Sequence, residues 1–134
     1  MAGILLAGCR EPMSVERFVP GEGPYAFRVD MGDTTLAYDF DLYTRIDDRP
    51  EAILNRRELP LRMEWKAPSD SLFREEVYLP LQGKASFFSR QVLVPYRADM
   101  RPFEAGEWTL TVSLPDTLSV PGLRGMGLVI TKHR

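Results

Sequence analysis

The chain has 134 residues, enough for one domain with its own core, and its 44% hydrophobic and 27% charged composition argues against wholesale disorder. A formal net charge of −2 lacks the basic excess of a nucleic-acid-binding protein, so no nucleic-acid partner is expected. One cysteine precludes an internal disulfide, and no stretch approaches the ~20 apolar residues that a membrane-spanning helix needs.

The N-terminus reads Met1-Ala-Gly-Ile-Leu-Leu-Ala-Gly-Cys9. Leu6, Ala7 and Gly8 before Cys9 have the pattern of a bacterial lipobox, in which small residues let a signal peptidase bind the chain extended and the Cys9 thiol then carries a diacylglycerol. Residues 1–8 are therefore expected to be the remnant of a lipoprotein signal, although Ile4–Ala7 is short for its apolar core and no Lys or Arg precedes it. Residues 9–22 are expected to be the lipidated cysteine and a polar tether beginning Arg10-Glu11-Pro12. The folded domain then spans residues 23–134.

Alternation with period two dominates that domain. Tyr25, Phe27, Val29 and Met31 alternate with Arg28 and Asp30, which predicts a half-buried strand, and Gly32-Asp33 marks a turn. Leu36, Tyr38, Phe40 and Leu42 continue the pattern against Asp39, Asp41 and Tyr43. A polar connection from Asp47-Asp48-Arg49-Pro50 to about Arg57 leads to the third run, Leu59, Leu61, Met63 and Trp65. Phe73, Val77, Leu79 and Leu81 form a weaker strand, because Glu75 interrupts its apolar face and Pro80 favours an edge. Phe88, Val92, Val94 and Tyr96 follow, with Arg90 in phase, so burial over part of the length is expected. Trp108, Leu110, Val112 and Leu114 predict a strong strand, and Met126, Leu128 and Ile130 predict the last, after a loop from Pro115 to Gly125. About seven strands and no convincing helix point to an all-β fold, an antiparallel β-sandwich of immunoglobulin-like or jelly-roll-like type. Trp65 and Trp108 fall in phase with aliphatic residues and belong to its core.

Little in this pattern suggests a reaction. His133 is the only histidine and lies beside the C-terminus, where a frayed end would not hold a catalytic base. A zinc centre of two or three histidines is excluded, so no catalytic residue, no metal and no cofactor is expected. Asp39 and Asp41 are the best remaining acid–base pair, about 7 Å apart on one strand face, between the retaining and inverting glycosidase separations. Both belong to a predicted outer face, where solvation leaves carboxylates ordinary, and the chain is read as a non-enzyme. Asp47-Asp48 and Glu75-Glu76 point to opposite faces and do not resemble a calcium loop, and Arg56-Arg57 reads as a solvated turn. Tyr43, Tyr78 and Phe87 fall on predicted outer faces and are the candidate binding surface for sugars or peptides.

Several segments together resemble the gliding-motility lipoprotein GldH family of Bacteroidota. They are the lipobox Cys9; Asp41-Leu42-Tyr43-Thr44-Arg45-Ile46; Asn55 with Leu59-Pro60-Leu61; and Glu75-Glu76-Val77-Tyr78-Leu79-Pro80-Leu81-Gln82-Gly83. The best match is Phe103-Glu104-Ala105-Gly106-Glu107-Trp108-Thr109-Leu110, followed by Pro121-Gly122-Leu123-Arg124-Gly125-Met126-Gly127-Leu128-Val129-Ile130. The chain departs from the family at Lys84-Ala85-Ser86-Phe87-Phe88 and at Ser113-Leu114-Pro115-Asp116. The resemblance implies an outer-membrane lipoprotein, lipid-anchored (palmitate) at Cys9, that serves a gliding or secretion apparatus through contacts with other envelope proteins. It carries over no catalytic residue. The alternative is a lipid-tethered module that binds glycans or peptides.

Overall fold

A computed structural model describes residues 14–47, 58–81, 89–115, 120 and 122–134. These residues form eight strands: β1 (Ser14–Pro20), β2 (Tyr25–Met31), β3 (Ala37–Asp47), β4 (Glu58–Lys66), β5 (Leu72–Pro80), β6 (Ser89–Met100), β7 (Gly106–Ser113) and β8 (Leu123–His133). They make two four-stranded sheets, ordered β1-β8-β3-β6 and β2-β7-β4-β5, and every paired neighbour is antiparallel.

The pairing is that of one long hairpin wrapped on itself. β4 pairs with β5, β3 with β6, β2 with β7 and β1 with β8, while β3–β8 and β4–β7 contacts close each sheet. That order is the jelly roll, which decides between the two sandwich types the sequence allows.

Alternating burial explains why the two sheets face one another. From one sheet Tyr25, Phe27, Val29, Met31, Leu59, Leu61, Met63, Trp65, Trp108, Leu110 and Val112 point inward; Tyr38, Phe40, Leu42, Ile46, Met126, Leu128 and Ile130 meet them from the other. Both tryptophans are buried, as their phase requires. Thr44 lies in phase with Leu42 and Ile46 and is fully buried, so its hydroxyl must find a partner; it donates to the Gly125 carbonyl at 2.7 Å.

Three expectations change. The strand count is eight rather than about seven, because Ser14–Pro20, assigned to the tether, is an edge strand paired along its length with β8. Its apolar pattern is weak, with Val15 and Val19 half-buried and Arg17 in phase between them, and backbone pairing supplies what side-chain burial does not. Phe73, placed on an apolar face, is 46% exposed, because β5 is the last strand of its sheet. His133 is not frayed: it ends β8 and pairs with Ala37 of β3.

Candidate functional site

Among the described residues β5 and β6 are the edge strands of the two sheets and lie against one another. Half-buried positions there hold Glu75 and Tyr96 rather than aliphatic residues. A cleft of about 230 Å3 results, floored by Trp65 and Trp108 and walled by Phe73 and Phe103, with Arg97 and Arg101 at its rim. Its rings form a connected array. Phe40 and Trp65 lie 5.1 Å apart, Trp65 and Trp108 6.2 Å, Trp108 and Phe103 5.3 Å, and Phe103 and Phe73 5.6 Å between centroids. All four contacts are edge-on, whereas Phe73 stacks on Trp108 at 6.3 Å. The array passes from the buried core to solvent, since Trp108 is 1% exposed and Phe103 69%.

Polar bonds hold these rings in place. The Trp108 indole N–H donates to the Glu104 carbonyl at 2.9 Å, which pins the β6–β7 connection carrying Phe103. The Trp65 indole N–H donates to the Tyr96 hydroxyl at 2.9 Å, and that hydroxyl donates to Glu75 Oε2 at 2.6 Å. Arg97 Nε reaches the same oxygen at 3.1 Å, with its guanidinium 5.5 Å from the Tyr96 ring centre. Burial, and then the Glu75 bond, push the Tyr96 hydroxyl up to about 12, so it remains a donor at neutral pH. Glu75 is thereby committed to structure, and the cleft's remaining character is apolar and cationic.

A larger concavity of about 560 Å3 occupies the outer face of β4, β5 and β7, where Arg62, Glu64, Arg74, Glu76, Thr111 and Ser113 are among the residues that line it. Arg74 pairs with Glu64 at 2.8 Å across it. Tyr78, 59% exposed, donates at 2.7 Å to Oε1 of Glu76, one of those lining residues.

The predicted site residues do not converge. Tyr43 is on the outer face of the other sheet, with its ring over Gly127 beside Phe18, so it shares no surface with Tyr78. Cys9 and Phe87 lie outside the described residues, as do Asp48, Arg56 and Arg57. Asp39 and Asp41 sit partly exposed on the outer face of β3, and neither lines either cavity.

Asp39 has partners that its strand neighbours do not reveal. Its Oδ1 accepts the Asp99 backbone N–H at 2.8 Å and lies 3.0 Å from His133 Nε2, while Asp99 Oδ1 is 3.2 Å from that nitrogen. The Asp99 amide first, and His133 second, hold the Asp39 carboxyl below its ordinary range; Asp39 in turn raises His133. Phe103 and the Asp39–Asp99–His133 corner escaped the sequence reading. The only signal for the first was Glu75 breaking the apolar phase of β5, and for the second there was none, since its members come from three strands. The chain matches no protein-family model and no curated protein.

Proposed function

We propose that the chain is a non-catalytic outer-membrane lipoprotein, an accessory component of a gliding-motility or secretion-associated envelope machinery. It acts through protein contacts, with the lipid at Cys9 holding it at the membrane and the β5–β6 cleft meeting a partner. The observation that carries this reading is the exposed pair Phe73 and Phe103 over a buried tryptophan floor: large rings left in water at a concave, braced margin are the usual signature of an interaction site. Of the three arginines in that lining, Arg74 pairs with Glu64 and Arg97 with Glu75, and Arg101 adds a further positive charge, which suits an apolar segment bearing a carboxylate.

In-cell cross-linking of the tethered protein tests the reading. Phe103→Ala and Arg101→Glu should abolish a specific cross-linked envelope partner, and Tyr43→Ala, on the opposite sheet, should retain it. Unchanged partners in both cleft variants would place the contact elsewhere. The second reading, a lipid-tethered glycan- or peptide-binding module, is favoured by the same aromatic walls, on which sugar faces stack. Binding of isolated oligosaccharides that is lost in Phe103→Ala, with no protein cross-link, would select it.

A further inference from the structure

We propose that Asp39, Asp99 and His133 form a binding site for a divalent transition-metal ion of the Zn2+ class. Three strands of one sheet supply the ligands: Asp39 from β3, Asp99 from β6 and His133 from β8. Each offers one ligand atom, and the three atoms lie within 4.8 Å of one another.

The hydrogen-bond chemistry of the ring is the first argument. His133 Nδ1 lies 3.3 Å from the backbone oxygen of Arg134, an acceptor, which favours the tautomer with its proton on Nδ1. The neutral imidazole then has its lone pair on Nε2, and Nε2 faces two carboxylate oxygens at 3.0 and 3.2 Å. Two carboxylate oxygens and this nitrogen lie within 4.8 Å of one another, an arrangement that a cation stabilises, either a proton on Nε2 or a metal ion. A ligating histidine commonly donates its other ring N–H to a backbone oxygen or a carboxylate, and His133 Nδ1 is placed to do so.

Spacing is the second argument. Bonds of about 2.1 Å at tetrahedral to octahedral angles put adjacent ligand atoms about 3.0–3.4 Å apart, and both observed separations from Nε2 fall in that interval. The frame is built in advance. The β3–β6 register shifts between Tyr38 and Phe40, opposite the segment carrying Asp99, whose φ of 55° turns its amide onto Asp39. One imidazole and two carboxylates suit a borderline ion such as Zn2+, with further positions open to water. On binding, the Nε2–metal bond replaces any Nε2–H bond and that proton passes to solvent. The site is distinct from the cleft and does not depend on the function proposed for it.

Calorimetric titration of Zn2+ into the full chain carrying Cys9→Ser, which leaves no thiol to compete, tests the proposal. One Zn2+ should bind per chain, and Asp99→Asn and His133→Ala should each weaken it roughly tenfold or more. Asn is well suited to a positive φ, so Asp99→Asn keeps the backbone and separates ligand loss from misfolding. Asp41→Asn, on the same strand face, should bind as the parent does. Co2+ in place of Zn2+ should show visible absorption bands that vanish in His133→Ala. Absence of stoichiometric binding, or equal binding by the parent and both ligand variants, overturns the site.

Discussion

Trp108 and Asp47 show how much of the molecule is decided side chain by side chain. Trp108 is buried in the core and donates to the Glu104 carbonyl. Trp108→Ala therefore removes a large apolar volume and also releases the loop that presents Phe103. The expected cost is about 3–5 kcal/mol, read as a lower denaturation midpoint at unchanged slope. Asp47, at the end of β3, accepts Arg45 Nε at 2.7 Å and Arg124 Nε at 3.1 Å. Arg45 chiefly, with Arg124, holds its carboxyl below the ordinary 3.8. A depressed folded value means that its contribution is fully present above the unfolded value and lost as pH falls through the folded one. The stability gap between wild type and Asp47→Asn should thus be constant near neutrality and shrink as pH falls below the unfolded value. A gap that does not change with pH would show that the two arginines do not favour the ionised form.

At the scale of elements, β8 is the strand on which one sheet depends, since it pairs with both β1 and β3. At Gly125, near the β3–β8 register shift between Thr44 and Ile46, φ is 152° and a Cβ would run into the Phe18 ring and stand 2.7 Å from the Val19 carbonyl oxygen. Gly125→Ala should cost about 1–3 kcal/mol in thermal unfolding. Gly127→Ala is the internal comparison: a Cβ there meets Tyr43 Cδ1 at 3.2 Å without a positive φ, so a smaller loss is expected. Equal losses would remove the backbone argument. The strands themselves were largely legible: β2, β4 and β7 alternate burial with the period their residues show. β1 was not, because an edge strand held by backbone bonds to β8 leaves most of its side chains in water and shows no one-sided apolar face.

For the whole molecule, the proposed anchor is the property with most consequence. β1 begins at Ser14, five residues after Cys9, and five extended residues span at most about 18 Å. A lipid at Cys9 would hold the Ser14 end of the sandwich close to the membrane surface, and with it the edge β1 opposite the cleft. Two or three acyl chains anchor stably where one is marginal. Cys9→Ser should therefore shift the full-length protein from the membrane to the soluble fraction; equal retention of the variant would sink the lipoprotein reading.

The sequence by itself determined the all-β class, the position of most strands and which tryptophans are buried, because period-two burial is a local property written in consecutive residues. Tertiary structure alone decided the jelly-roll order, the aromatic cleft beside β5 and β6 and the meeting of Asp39, Asp99 and His133. Strand pairing is made by backbone groups that every residue carries, so which strands become neighbours leaves little trace in the side chains that a sequence displays. A site whose members come from β3, β6 and β8, or from β5 and the β6–β7 connection, becomes visible only when the sheets are assembled.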